Sequence, residues 1–417
     1  MAQATYSEIS ACRICGNRHL DPVFSLGTQY LTGVFPKSMD AQRALTRGPL
    51  ELVKCRAGAG DACGLLQMRQ SYAAPEMYGA NYGYRSSLNR SMVEHLHGKV
   101  KTILARRPLA EGECVLDIGS NDGTLLAAWP SAALRVGMDP SAEKFRKYYP
   151  PGVRLVTDFF SAAKFAEAAG GRKAAVVTSI AMFYDLEQPL DFVRQVRDVL
   201  TEDGVWVFEQ SYMPSMLETG SYDTICHEHV EYYALAQIKW MLERAGLRIL
   251  EVELNAVNGG SFSITAGKAG AEGASVVRLL EAEHAAGLDT MAPYARFGER
   301  ALHHREALTA LVRGIRARGQ KILGYGASTK GNVILQFCGL GRDDLACIAE
   351  VNEDKFGAFT PGTGIPIVSE AEAKAMKPDY LLVLPWHFKD NILQREAAYL
   401  KSGGKLVFPL PEITTVG

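Results

Sequence analysis

Val115-Leu116-Asp117-Ile118-Gly119-Ser120-Asn121-Asp122-Gly123-Thr124 is the stretch from which the rest of the chain can be read. Its apolar start predicts a buried strand, and its glycines predict a tight turn into a helix. Gly119 and Gly123 permit backbone angles that other residues resist, and let a ligand approach the main chain. Further on, Val136-Gly137-Met138-Asp139-Pro140 reads as a second strand ending in an acid. An acid at that place in a βαβ unit can hydrogen-bond ribose hydroxyls. The turn is neither G-x-G-x-x-G nor a phosphate loop with G-K-[ST]. A merely structural turn, or another αβ nucleotide fold, is the competing account.

The D-x-G-x-x-x-G turn with the later Asp139 resembles the class I S-adenosylmethionine (SAM) methyltransferases. Such a site needs carboxylates for the amino acid and ribose, not a pyrophosphate cradle. The resemblance implies cofactor contacts from Asp117, Gly119, Ser120, Asn121, Gly123, Asp139 and Pro140. Asp158 and Phe159 follow the strand-like 153–156 and suit an adenine ring, although core phenylalanines explain that stretch equally well.

The 417 residues allow two or three domains. With 47% hydrophobic and 22% charged residues and a net charge of −1, the chain has no polyanion-binding balance. No secretory core opens the sequence and no apolar run is long enough for a membrane span. A cytoplasmic protein is expected, without nucleic-acid or membrane partners and monomeric. Its eight cysteines are then ligands or core residues rather than disulfides. Cys12-x2-Cys15 and the later Cys55 and Cys63 suit a closed, structural four-thiolate zinc site.

Residues 72 to 92 are rich in tyrosine and glycine. Tyr82 and Tyr84 there could line a polar pocket, or belong to an exposed loop. A fourth strand over 174–180 runs into Met182-Phe183-Tyr184, at the sheet end where ligands gather. A fifth follows at 204–209. Tyr222-Asp223-Thr224-Ile225-Cys226-His227-Glu228-His229 then concentrates groups suited to proton transfer. An H-x-H metal pair and an ordinary surface segment are the alternatives. Asn258-Gly259-Gly260 permits close backbone approach or a hairpin turn. Gly324-Tyr325-Gly326-Ala327-Ser328-Thr329-Lys330-Gly331-Asn332 is a second strand–turn–helix. It can receive phosphate at the helix start with help from Lys330, or be structural only. A strand over 380–384 ends at Pro385-Trp386-His387-Phe388-Lys389.

In order and spacing these pieces resemble the three-domain, zinc-containing sugar C-methyltransferases that act on nucleotide-linked keto-deoxysugars. The likeness includes 31–36 (Leu-Thr-Gly-Val-Phe-Pro), the H-E-H triplet, 360–366 and Leu384-Pro385-Trp386. It implies an α/β chain with a zinc-binding domain (1–75), a Rossmann-like SAM domain carrying the catalytic insertion (76–270), and a helical connector with a second Rossmann-like domain for the sugar nucleotide (271–417). It implies structural zinc on Cys12, Cys15, Cys55 and Cys63. It implies His229 as base, with Glu228, His227, Tyr84, Tyr184 and Tyr222 around it. Tyr82, Asn258, Ser328, Lys330, Asn332, Trp386 and Lys389 are expected to hold the substrate. Two positions depart from the family pattern: Cys226 stands where members carry Tyr, and Tyr184 where they carry His. A sugar O-methyltransferase is the second reading, and a zinc-containing RNA methyltransferase or RNA-binding protein the third.

Overall fold

The computed structural model describes residues 6–56, 61–77 and 84–417, so Tyr82 lies outside the described residues. Strand Cys114–Ile118 lies inside a seven-stranded sheet, with neighbours on both sides, and is buried along its whole length. A parallel strand covered on both faces reads as a continuous apolar run, which is why this one was legible. Across the sheet the strands are Arg248–Asn255, Ser261–Gly267, Leu200–Ser211, Ala174–Ile180, Cys114–Ile118, Leu134–Met138 and Arg154–Val156. Ser261–Gly267 runs antiparallel to both neighbours, and the pairs from Leu200–Ser211 onward are parallel. The chain order reverses between Cys114–Ile118 and Ala174–Ile180. Such a reversal opens a crevice at the carboxyl ends of the strands. The Gly119 turn, Asp139 and the segment from Ala181 to Tyr184 all leave their strands at that end.

The cysteine-bearing region forms a four-stranded antiparallel sheet in the order Glu231–Tyr232, Leu66–Met68, Arg47–Cys55, Leu20–Tyr30. Its first strand belongs to the stretch that follows H-E-H. The chain just after the H-E-H triplet is thus hydrogen-bonded into the sheet of the N-terminal region.

The third sheet has the order Ile367–Ser369, Ile348–Glu350, Ile322–Tyr325, Tyr380–Val383, Lys405–Phe408, Thr414–Val416, parallel except for the last strand. Helix Ala292–Ala317 leads into it. This helix buries Tyr294, Phe297, Ala301, Leu308, Val312 and Ile315 at helical spacing. Phe24 from the N-terminal sheet packs edge-on against Phe297 and against Phe337, at 5.7 and 5.9 Å between ring centres. One apolar core therefore runs without a break from the N-terminal sheet to the C-terminal one. Among the described residues, no helix is long and apolar enough to cross a membrane.

Candidate active site

In the crevice, Gly119 and Gly123 have φ of +74° and +77° and Asn121 +49°, the left-handed region that the turn requires. A Cβ on Gly119 would lie 3.0 Å from Met182 Cγ, and one on Gly123 2.8 Å from the Tyr149 ring. Asp117 is buried and accepts the Thr178 hydroxyl at 2.6 Å; burial pushes its carboxyl up to about 7 against that hydrogen bond. Asp139 Oδ1 accepts the backbone and hydroxyl of Ser141, and Oδ2 accepts the Asn121 amide at 2.9 Å. A carboxylate offers about four lone-pair sites, so one remains on Oδ2 for a ribose hydroxyl. Pro140 follows directly, at the start of the next turn.

Asn121 and Asp122 also hold the segment 84–88 over the turn. Asn121 accepts the Ser86 amide and donates to the Tyr84 carbonyl, and Asp122 accepts the Ser87 amide. Ser120 and the Asn121 carbonyl share the Tyr149 hydroxyl. These groups fit an amino acid and a ribose. Asp158 is exposed and paired with Lys164, and Phe159 is half-exposed beside it. Asp139→Ala is expected to weaken SAM binding ~10- to 100-fold, the effect of losing a hydrogen bond to a charged group. Calorimetric titration with SAM checks this.

The H-E-H triplet splits into three different environments. His229 Nδ1 donates to the Thr224 carbonyl at 2.8 Å, which leaves Nε2 as the free-pair nitrogen. The Tyr184 ring lies 4.3 Å from it, centre to centre. Burial pushes the His229 imidazolium down to about 4; the Thr224 bond opposes this and the Lys330 charge adds to it. His227 instead donates from Nε2 to the Gln29 carbonyl at 3.3 Å and packs on Tyr72, and burial takes it down to about 3. Glu228 turns toward Gly33 rather than holding the His229 ring, and burial raises its pKa. The ring is oriented by the Thr224 carbonyl and not by the neighbouring Glu228 carboxylate. A small cavity beside it is lined by Tyr184, Ser211, Met213, Met216, Thr224, His229, Glu231 and Tyr232.

Both histidines bind protons more weakly folded than unfolded. Between pH 6.5 and about 4 the unfolded chain therefore carries more protons, and stability falls as pH falls through that window. Thermal midpoints measured from pH 7.5 to 4.5 should decline across it, less steeply in a His227→Gln variant. His229 stays neutral, and so competent as a base, throughout the neutral range.

Lys330, in the first turn of helix Thr329–Cys338, does not reach along the helix start. Its Nζ donates to the Asn258 carbonyl at 2.6 Å. Burial lowers its pKa, while Asp223 and Cys226 pull the other way. Asp223 accepts the Trp386 indole N–H at 2.7 Å and is itself raised by burial. Asn258 has φ +55°, and Gly259 lies where a Cβ would be 3.0 Å from the Trp386 ring. Lys330, Asn258, Trp386 and Asp223 thus form one cluster on the turn whose next residue, Thr224, holds His229.

Other expected residues are engaged elsewhere. Tyr222 stands in the core: its fully buried hydroxyl is 3.0 Å from His304 Nδ1 and 3.6 Å from Cys338 Sγ. Lys389 lies against Thr414 and the Phe408 ring. Ser328 caps its helix by accepting the Gly331 amide at 3.0 Å. Asn332 donates to the Thr32 carbonyl at 2.7 Å. Tyr84 is half-exposed. Sequence reasoning missed Glu209, at the carboxyl end of Leu200–Ser211. It is held by His95 at 2.6 Å, Lys99 at 2.7 Å and Asn255 at 2.8 Å. Burial acts to raise its pKa, but the two basic partners keep it below the usual carboxylate range.

The sulfurs of Cys12, Cys15, Cys55 and Cys63 all lie within 4.8 Å of one another, the one such cluster among the described residues. A thiolate tetrahedron around zinc, at ~2.3 Å per bond, spaces its sulfurs about 3.8 Å apart, so the group fits the metal. The Asn17 amide donates to Cys55 Sγ at 3.3 Å.

Family models match in three consecutive blocks: a zinc binding domain over residues 12–78, a methyltransferase domain over 92–252, and a C-methyltransferase C-terminal domain over 256–411. The chain is 31% identical over 409 residues to the C-methyltransferase NovU of Streptomyces niveus, covering 97% of this chain and 96% of that one. Solved structures match more distantly. A chain from the Haloferax volcanii Trm112 activator–methyltransferase complex is 15% identical, with 44% of this chain and 95% of that chain covered and a TM-score of 0.36. SAM-bound magnesium protoporphyrin IX methyltransferase from Synechocystis PCC 6803 is 15% identical, with 42% and 79% covered and a TM-score of 0.33. The three matched blocks and the full-length relative decide the matter: the chain belongs to the zinc-binding, SAM-dependent C-methyltransferases.

Proposed function

We propose that the protein methylates the carbon beside the ketone of a nucleotide-linked 4-keto-deoxysugar, at C3, with His229 as general base. The observation that carries this reading is the His229 ring. Its Nδ1 is fixed on the Thr224 carbonyl and its Nε2 is kept unprotonated by burial beside Lys330. A carbon next to a ketone becomes nucleophilic only after it loses a proton. His229 Nε2 takes that proton, and the C–H electron pair moves into an enolate whose negative charge rests on the ketone oxygen. The Lys330 ammonium and the Tyr184 hydroxyl are the groups we assign to that developing charge, in a site where such donors act most strongly. SAM, which Asp139 and the Gly119–Gly123 turn would hold, would supply an electrophilic methyl group to that carbon, its S–CH3 bond breaking as the C–C bond forms and S-adenosylhomocysteine leaving. His229 then returns its proton to solvent.

We place the nucleotide sugar between the SAM crevice and the Gly324–Asn332 turn, near Asn258, Trp386 and Asn332, with the three-domain division as read from the sequence. Catalytic support from Tyr84 and Phe159 stacking on adenine belong to the same proposal, as do a monomeric state and a cytoplasmic setting. Incubation with SAM and a panel of nucleotide-linked 4-keto-sugars, followed by mass spectrometry and NMR, tests it. A new carbon-bound methyl is the expected product. A methoxy signal would instead mark a sugar O-methyltransferase, and no transfer to any member of the panel would overturn the substrate class.

A further inference from the structure

The segment 29–34 of the zinc-binding region has no role in the mechanism above, yet it is pinned from several sides. The His227 ring donates to the Gln29 carbonyl, and Gln336 holds both the N–H and the carbonyl of Tyr30. Asn332 Nδ2 donates to the Thr32 carbonyl at 2.7 Å. A Cβ on Gly33 would lie 2.2 Å from Glu228 Oε1 and 3.6 Å from the Thr329 hydroxyl. Three distant parts of the chain therefore meet here: the zinc-binding region, the H-E-H segment and the first turn of helix Thr329–Cys338.

Beside the buried apolar Leu31 and Val34, this seam also buries polar groups. Thr32 and Asn332 are fully buried and Glu228 nearly so. Thr32 Oγ1, Asn332 Oδ1 and Glu228 Oε2 have no hydrogen-bond partner among the described residues. Each such group carries a desolvation cost that a methyl in its place would not. Two of the three atoms are acceptors and the third is a hydroxyl that can donate or accept. Two acceptors and a hydroxyl are the kind of groups that hold sugar hydroxyls.

We propose that Thr32, delivered by the zinc-binding region, hydrogen-bonds a hydroxyl of the sugar, with Asn332 Oδ1 as its partner acceptor. This rests on the nucleotide-sugar reading and deepens it. The zinc-binding region is then one wall of the substrate site, and Gly33 is required because any side chain there would displace the Glu228 carboxyl. Thr32 is a specificity residue rather than a catalytic one.

Thr32→Val tests this, because the deleted hydroxyl makes no bond in the resting protein. If Thr32 were only structural, removing an unsatisfied buried hydroxyl would leave affinity alone and leave stability equal or higher. Calorimetric titration of the full chain, loaded with S-adenosylhomocysteine, would use dTDP- and GDP-linked 4-keto-6-deoxyhexoses as probes. Thr32→Val should bind the accepted probe ~10-fold more weakly, with an unchanged or higher thermal midpoint. Thr32→Ser should bind like wild type. Equal affinity in Thr32→Val and wild type would overturn the inference while leaving the proposed function standing. A lower affinity that only tracks a lowered midpoint, unrescued by Thr32→Ser, would overturn it too. If wild type binds neither probe, the nucleotide-sugar reading fails and this inference fails with it.

Discussion

His229→Asn should bind both SAM and the sugar nucleotide and yet transfer methyl groups ~10²–10⁴-fold more slowly, the usual effect of removing a general base. The asparagine amide can still donate to the Thr224 carbonyl, which preserves the turn, but it has no nitrogen lone pair of comparable basicity. The loss should appear in the single-turnover rate and not in either dissociation constant. His227→Asn should lose far less, because that ring is committed to the Gln29 carbonyl and the Tyr72 face rather than to the cavity. Transfer within a few-fold of wild type in His229→Asn would move the base to Tyr184, whose ring already lies against His229.

The second large effect is expected at the metal. Cys12→Ser should leave freshly purified protein short of zinc and lower its stability by several kcal/mol, ~4 or more, as the loss of a structural metal does. The consequence should not stop at the N-terminal region. Strand Glu231–Tyr232 pairs with Leu66–Met68 in the same sheet as Cys55, and His229 stands two residues before it. Activity should therefore fall together with the thermal midpoint and the metal content. Elemental analysis alongside calorimetry checks this. Metal-free wild-type protein of normal stability would contradict it.

Much of this architecture was legible because its signals are local. The Val115–Ile118 run, the glycines after it and the acid at 139 lie within one βαβ unit. The cysteine pairs advertise themselves by spacing alone, and the four sulfurs do converge. The H-E-H triplet marked a site but not the division of labour within it. What holds His229 is a backbone carbonyl, and every residue has one, so Thr224 carried no signal. Tyr222 looked functional because it stands in an unusual cluster, yet its hydroxyl is claimed by His304 and Cys338, far along the chain. Lys330 stands at a helix start, where the sequence allows a phosphate contact or a purely structural turn, and what the sequence does not show is that its Nζ is held by the Asn258 carbonyl. A two-residue strand has no periodicity to read, so the pairing of Glu231–Tyr232 with the zinc-binding region could not be foreseen. Glu209 was silent for the same kind of reason: an acid inside a strand gains meaning only once His95 and Lys99 are brought against it.

Hydrogen exchange at the sugar carbon separates proton removal from methyl transfer. With S-adenosylhomocysteine in place of SAM, and the accepted 4-keto-sugar nucleotide in heavy water, wild-type protein should replace the hydrogen on the carbon beside the ketone with deuterium. His229→Asn should leave that hydrogen in place over the same period, as followed by NMR of the sugar. Exchange in the variant as fast as in wild type would show that His229 is not the base on which the whole account rests.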